Sequence, residues 1–194
     1  MKNEIEAKFV NINIDDIRSR LTELGAILIQ PMRDMQRVTI DTPELKKKDA
    51  FVRIRNEGDK TTITYKQFNS LSIDGVKEVE ITVDDFDTAV TLFKEAGLAY
   101  GSLQESRRET WKLDEVEIVI DEWPWLNPYI EIEAPSEDLV ILTSEKLGFN
   151  WDDAIFGDVM AAYRVQYPHL GLNDTVGNLP EVRFSDPLPD LLKS

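Results

Sequence analysis

Carboxylates and cations alternate with apolar residues in several short stretches of this chain. In "KNEIEAKFV", residues 2–10, Glu4, Glu6 and Lys8 occupy every second position, with an apolar residue between each pair. Side chains alternate between the two faces of a strand, so one face of this segment carries all three charges. Such a face lies either in water or in a binding site. In a site, the carboxylates could bind hard divalent cations and the lysine could bind phosphate oxygens.

The same alternation recurs along the chain. Charged or hydroxyl side chains share one face in five further stretches, namely Arg53 with Arg55, Thr62 and Thr64 with Lys66, Glu78 with Glu80, Arg108 and Thr110 with Lys112, and Glu131 with Glu133. Apolar residues such as Ile54, Val79 and Ile132 occupy the opposite face. The question raised by the first stretch therefore applies to most of the predicted strands.

The elements that must position these residues follow from the periodicity. Eight strands are predicted, at residues 3–9, 36–41, 50–57, 61–67, 76–83, 106–113, 115–121 and 129–134. The turns between most of them are brief, which favours antiparallel pairing. Apolar residues at helical spacing predict three amphipathic helices over 14–24, 85–96 and 137–147, with Asp or Ser residues at or next to their starts and Gly after their ends.

The C-terminal part of the chain is predicted to be different. A further helix is predicted over 151–167, whereas residues 168–194 contain four prolines and show no clear periodicity. We therefore expect one domain over residues 1–167, followed by a C-terminal extension over 168–194. This extension is expected to wrap on the domain as an extended segment or to be partly disordered.

Two architectures fit the alternation. In a two-sheet sandwich the apolar faces form the middle, all charged faces lie in water, and the amphipathic helices have little to cover. In a closed barrel the charged faces point inward and the helices cover the apolar outer faces. Eight strands enclose room for side chains or one small ligand. The helices favour a mainly β (α+β) fold, a closed eight-stranded antiparallel β tunnel with amphipathic helices packed outside.

Composition excludes several classes of function. The chain has a formal net charge of −15 and a pI of about 4.5, which disfavours binding to nucleic acid or to anionic membranes. It contains no cysteine, which excludes thiolate catalysis and zinc–thiolate sites. Its single histidine, His169, lies in a Pro/Gly-rich segment and is expected at the surface. No apolar run is long enough for a membrane helix, so a cytoplasmic location is expected.

Several motifs in a fixed order resemble the CYTH superfamily, the triphosphate tunnel metalloenzymes. They are "EIEAK" at 4–8, "DTPEL" at 41–45, "VRIR" at 52–55, "TYK" at 64–66, "KEVEI" at 77–81, "RETW" at 108–111, "VID" at 119–121 and "YIEIEA" at 129–134. The resemblance covers residues 3–167 and implies an eight-stranded antiparallel tunnel. It also implies that the tunnel binds a small-molecule triphosphate and one or two divalent metal ions, Mg²⁺ or Mn²⁺, in a monomer or homodimer.

The resemblance also implies roles for individual residues. The triphosphate would be held by Lys8, Arg53, Arg55, Lys66 and Arg108. Metal would be held by Glu4, Glu6, Asp121, Glu131 and Glu133, and the catalytic residues would be Lys8, Arg55, Glu80 and Asp121. One departure concerns the sixth predicted strand, where many members carry Lys-x-Arg and this chain has Ser106. Either Arg107 takes over part of the phosphate binding or one phosphate contact is missing.

Phosphoryl or nucleotidyl transfer is the chemistry that this resemblance implies. With water as the nucleophile, the expected enzyme is a triphosphatase acting on thiamine triphosphate, tripolyphosphate or a nucleotide. With a ribose 3′-hydroxyl as the nucleophile, it is a class IV adenylate cyclase that releases pyrophosphate. A non-catalytic triphosphate-binding module is the third possibility. Trp123 and Trp125 could stack on a base or a thiamine ring, or they could form a hydrophobic plug in a turn.

Overall fold

More residues lie in strands than in helices in the computed structural model, which describes residues 2–70 and 72–193. Met1 and Ser194, which bound the two predicted regions, lie outside this description, as does Leu71. The strands are β1 (Lys2–Glu4), β2 (Glu6–Val10), β3 (Ile27–Ile40), β4 (Ala50–Asn56), β5 (Thr61–Phe68), β6 (Val76–Val83), β7 (Ser102–Leu113), β8 (Val116–Trp123), β9 (Leu126–Glu133) and β10 (Glu181–Val182).

The sheet closes on itself through the N-terminal strand. Neighbouring strands follow the order β1-β6-β5-β4-β3-β7-β8-β9-β2, and β1 and β2 are consecutive segments on either side of Ile5. The first segment pairs with β6 and the second with β9, and the pairings along this path are antiparallel. The predicted mainly β fold with a closed antiparallel tunnel is thus confirmed.

The strand count differs from the predicted eight, because the first strand is divided at Ile5 and β10 is added. β10 pairs in parallel with β7 and lies off the closed path. β3 begins at Ile27, whereas the prediction started at residue 36. Its register against β7 shifts between Leu28 and Gln30 and again between Gln30 and Arg33, so the alternation that marks a strand is lost there.

The helices agree with the predicted pattern except for the short α2, which was not predicted, and near the C-terminus. They are α1 (Ile14–Glu23), α2 (Pro43–Lys46), α3 (Phe86–Glu95), α4 (Glu137–Lys146) and α5 (Val159–Gln166). Helices α1, α3 and α4 confirm the three predicted helices, and each ends before a glycine with positive φ. The helix predicted over 151–167 is interrupted, because a 3₁₀ turn (Trp151–Asp153) and Gly157 at φ 106° precede α5.

The helices cover the outer, apolar faces of the barrel. Ile17 and Leu21 of α1 and Val140 of α4 pack with the strand residues Ile118 and Ile132 in one core cluster. A second cluster joins α3 to β3 and β4. Each fully buried Leu, Ile or Val stabilises the fold by about 1.5–3 kcal/mol. The apolar faces lie outside, where helices cover many of them but leave Val79 and Ile81 of β6 exposed. The opposite, charged faces look into the barrel, and the sandwich alternative is excluded.

Residues 168–193 pack against the barrel beside α5. Leu170, Val176, Val182 and Leu192 are buried in a cluster that also contains Trp123. Short 3₁₀ turns occur at Val176–Asn178 and Asp190–Leu192. Among the described helices, none has the length and the apolar character that a membrane span requires.

Candidate active site

A cavity of about 580 Å³ occupies the interior of the barrel. It is lined by side chains that point inward from the strands, and most of the predicted site residues are among them. These are Glu4, Glu6, Lys8, Arg53, Arg55, Lys66, Glu80, Arg108, Asp121, Glu131 and Glu133. Residues from both ends of the barrel domain thus face one space, as the resemblance implied.

Arg107 is the predicted site residue that does not face the cavity. Its neighbours Ser106 and Arg108 line the cavity, and the alternation of β7 turns Arg107 to the outer face. There its Nε donates to Asp34 at 2.8 Å, and its guanidinium lies 4.5 Å from the ring centre of Phe184. The structure thus separates Arg107 from the other predicted site residues and gives it partners outside the cavity.

Two further arginines line the cavity that were not among the predicted site residues. Arg33 and Arg37 point inward from β3, on the same face as Met35 and Thr39. The alternation in "QRVTID", a predicted strand, already carries a signal for Arg37. The sequence gives no such signal for Arg33, because the register shifts just before it interrupt the alternation that would predict a strand.

Arginines from three adjacent strands form one basic wall. The wall consists of Arg33 and Arg37 on β3, Arg53 and Arg55 on β4, and Arg108 on β7. Arg37 is paired across the strands with Arg55, and Arg33 with Arg108. Side chains at such paired positions are close neighbours, so the positive charges lie side by side.

Carboxylates partly neutralise this wall. Arg55 donates from Nε and Nη2 to Glu57 Oε1 at 2.9 and 2.5 Å. Arg108 donates to both oxygens of Asp121, at 2.7 and 2.5 Å, and to Glu131 Oε2 at 3.0 Å. These contacts fix the direction of both guanidinium groups before any ligand is bound.

Arg53 has fewer partners. It is 7% exposed, its Nη2 donates to Thr64 Oγ1 at 3.1 Å, and Glu80 lies 3.6 Å away. Its buried Nε has no hydrogen-bond partner among the described residues. Burial, and then the charges of Arg55 and Arg37, lower the pKa of Arg53 to about 9. The group still carries its charge at pH 7, so this part of the wall is short of an anion.

A cluster of carboxylates lies on the N-terminal strand and β9. Ligand oxygens of Glu4, Glu6 and Glu133 lie within 4.8 Å of one another. Burial raises the pKa of Glu6, and the charge of Glu131 adds to this effect while Lys8 opposes it. Carboxylate oxygens are the ligands that hard cations such as Mg²⁺ and Mn²⁺ prefer, so the donor set fits a divalent metal ion.

Two lysines form ion pairs with carboxylates in this part of the cavity. Lys8 Nζ lies 2.5 Å from Glu6 and 3.3 Å from Glu131, and Lys66 Nζ donates to both oxygens of Glu4 at 2.8 Å. Burial alone would raise the pKa of Glu131, but the charges of Lys8 and Arg108 outweigh it and hold that pKa near 2. Glu131 and Asp121 are thus paired with cations, as Glu4 and Glu6 are. What distinguishes Glu4, Glu6 and Glu133 is that their oxygens lie close together, in a group that does not include Glu131 or Asp121.

The two tryptophans of "DEWPWLNP" have different surroundings. Trp123 lines the cavity, and the Arg37 guanidinium lies 4.3 Å from its ring centre. Trp125 is held in a turn at φ 62°, where its Nε1 donates to the carbonyl of Asp186 at 2.9 Å. His169 is exposed, and its Nε2 lies 3.2 Å from the carbonyl oxygen of Leu191.

Comparison with known proteins agrees with this architecture. A CYTH domain model matches residues 2–147. The PH1012 protein from Pyrococcus horikoshii is 25% identical over 78% of this chain and 93% of its own, with a TM-score of 0.66. No curated protein sequence matches the chain significantly.

Two further solved structures share the fold at lower identity. A candidate adenylate cyclase from Vibrio parahaemolyticus is 12% identical over 82% of this chain and 96% of its own, with a TM-score of 0.70. A candidate adenylyl cyclase from Hippeastrum, described as having a dominant triphosphatase activity, is 16% identical over 84% of this chain and 96% of its own, with a TM-score of 0.54.

Proposed function

Because this chain belongs to the CYTH domain family, we propose that it is a divalent-metal-dependent triphosphatase that hydrolyses a small-molecule triphosphate inside the barrel. One observation carries the proposal. The buried Nε of Arg53 has no partner among the described residues, and it belongs to an arginine wall in the same cavity as the Glu4, Glu6 and Glu133 cluster. A polyanion that carries a divalent cation would satisfy both groups of side chains.

The arginine wall would bind and orient the phosphate chain. Arg53, Arg55 and Arg108 present guanidinium groups, which bind phosphate oxygens through charge-assisted and often bidentate hydrogen bonds. Glu57 and Asp121 already fix the last two of these groups, so little side-chain entropy is lost on binding. Lys8 would add a further positive charge at the phosphates.

Hydrolysis requires an attacking water and an acceptor for its proton. The water oxygen bonds to the terminal phosphorus, and the bond from that phosphorus to the bridging oxygen breaks. The two products are orthophosphate and a chain that is one phosphate shorter. Glu80 lines the cavity beside Arg53, and its carboxylate is one-third exposed, so we assign proton acceptance to this residue. A divalent metal held by Glu4, Glu6 and Glu133 would neutralise phosphate charge and acidify the water.

Product analysis tests the reaction. The protein is incubated with ATP, thiamine triphosphate or tripolyphosphate, with Mg²⁺ or Mn²⁺, and all products are resolved by chromatography. We expect metal-dependent release of orthophosphate. Cyclic AMP with pyrophosphate would instead identify an adenylate cyclase, and binding without turnover would identify a triphosphate-binding module. Either of these outcomes would contradict the proposed hydrolysis.

Ligand-induced stabilisation tests the inward-facing charges without regard to the reaction. A ligand that binds only the folded protein stabilises it by about 2.7 kcal/mol at a hundredfold excess over Kd. For a domain of this size we expect tripolyphosphate with Mn²⁺ to raise the melting temperature by about 5–10 °C. Monophosphate with Mn²⁺ at equal ionic strength is expected to have little effect, because one phosphate contacts few of the cations. Equal shifts from both ligands would contradict a polyphosphate site.

A further inference from the structure

Arg37 lies in a part of the cavity wall where β7, one of the two strands next to β3, has uncharged inward residues. On β3 it stands between Arg55 of β4 and Gln104 of β7, its paired residues on either side. The inward positions of β7 nearest to it are Gln104 and Ser106. Arg37 therefore supplies the positive charge that β7 lacks at this level of the cavity.

The protein holds the Arg37 guanidinium by one edge and one face. Its Nε donates to Gln104 Oε1 at 2.8 Å, and its guanidinium carbon lies 4.3 Å from the ring centre of Trp123. Among the described residues, no carboxylate forms an ion pair with Arg37 and no acceptor binds its two terminal nitrogens. Burial, and then the charge of Arg55, lower the pKa of Arg37 to about 10, so it remains protonated at pH 7.

The C-terminal segment pairs with the strand that carries Gln104, the residue that holds Arg37. Gln104 is 2% exposed, and its Nε2 donates to Ser102 Oγ at 3.1 Å. β10 pairs with β7 at Leu103 and Gln104, and residues 175–178 line the cavity beside them. Residues 168–193 lie beyond the part of the chain that the CYTH domain model matches. The surroundings of Arg37 thus depend on a segment outside the matched region.

We infer that Arg37 is a further phosphate-binding residue of this site, positioned by Gln104 and Trp123 and backed by the C-terminal segment. The inference rests on the proposed function, since it assigns Arg37 to the same triphosphate. A preoriented guanidinium with two unbound terminal nitrogens can form a bidentate contact with a phosphate group.

Binding of tripolyphosphate with Mg²⁺ to the full chain, measured by titration calorimetry, tests the inference. Loss of charge-assisted hydrogen bonds in Arg37→Gln is expected to raise Kd by about 10- to 100-fold. Arg37→Lys is expected to give an intermediate Kd, because lysine keeps the charge and loses the planar fork. Arg107→Gln, which removes an arginine from the outer face of the neighbouring strand, is the matched control and should change Kd less than twofold.

The melting temperature without ligand separates phosphate binding from a structural role. Removing a cation that lies beside Arg55 and forms no ion pair with a carboxylate of the described residues should leave the melting temperature of Arg37→Gln unchanged or higher, because burial and the charge of Arg55 outweigh the attraction of Asp158. A structural role through Gln104 and Trp123 predicts a lower melting temperature with an unchanged Kd, and that result would overturn the inference.

Comparison with Arg53→Gln distinguishes failure of this inference from failure of the proposed function. If Arg53→Gln weakens binding and Arg37→Gln binds as the unaltered protein does, the inference is wrong and the triphosphate site stands. If the unaltered protein binds none of tripolyphosphate, thiamine triphosphate and ATP with Mg²⁺ or Mn²⁺, both are wrong.

Discussion

Replacing Glu6 by glutamine is expected to lower kcat/KM for the triphosphate by about a thousandfold, the largest effect expected for any single change. Glu6, Glu4 and Glu133 form the carboxylate cluster that fits a divalent metal ion. The amide keeps the size of the side chain but removes its charge, and a catalytic metal contributes several kcal/mol of transition-state stabilisation. The metal concentration for half-maximal activity should rise in the same variant, which steady-state kinetics at varied Mg²⁺ or Mn²⁺ would measure.

Glu137→Gln is the matched control for this prediction. Glu137 is exposed in the first turn of α4, outside the barrel, so its loss should change kcat/KM less than twofold. If both variants lose activity equally, or if Glu6→Gln keeps the metal requirement of the unaltered protein, Glu6 is not a metal ligand.

Replacing Arg53 by glutamine is expected to weaken tripolyphosphate binding by about a hundredfold. Arg53 is buried, and its Nε has no partner among the described residues, so a bound phosphate would satisfy a group that the fold leaves unsatisfied. Loss of such a contact costs about 3 kcal/mol, which corresponds to this factor. Titration calorimetry with tripolyphosphate and Mg²⁺ would measure it.

The stability of the ligand-free protein should change in the opposite direction. The pKa of Arg53 is lowered to about 9 in the folded protein, so the unfolded chain binds this proton more tightly. At pH 7, below both pKa values, the full unfavourable contribution is present, and it diminishes only as the pH rises above about 9. Arg53→Gln should therefore melt at the same or a higher temperature without ligand. A variant that melts lower and binds tripolyphosphate normally would contradict a phosphate-binding role.

Much of the cavity lining could be predicted from the sequence because the alternation of a strand is a local property. A period of two assigns Glu4, Glu6 and Lys8 to one face whatever the rest of the chain does. The apolar stripes of the helices then require an apolar surface, which turns the charged faces inward. The same alternation places Arg107 and Arg108 on the two opposite faces of β7. The sequence therefore already indicated that Arg107 does not share the inward face of Arg108.

Closure and pairing, in contrast, depend on contacts between residues far apart in the chain. The ion pair of Lys66 with Glu4 joins residues separated by 62 positions, and the register of β1 against β6 brings them together. Only the tertiary structure shows that Glu131 and Asp121 are paired with cations. It also shows that Glu4, Glu6 and Glu133 come together as one cluster, in which lysines pair with Glu4 and Glu6.

The sequence by itself determined the faces of the strands, the helices and their ends, and the types of side chain in the cavity. The tertiary structure decided which of these side chains form ion pairs with one another, and that the buried Nε of Arg53 has no hydrogen-bond partner among the described residues. It also added Arg33, whose strand is obscured by two register shifts, and the packing of residues 168–193, which have no periodicity. The physical reason is that propensity and alternation act over a few residues, whereas register, bulges and the packing of an irregular segment depend on partners distant in the chain.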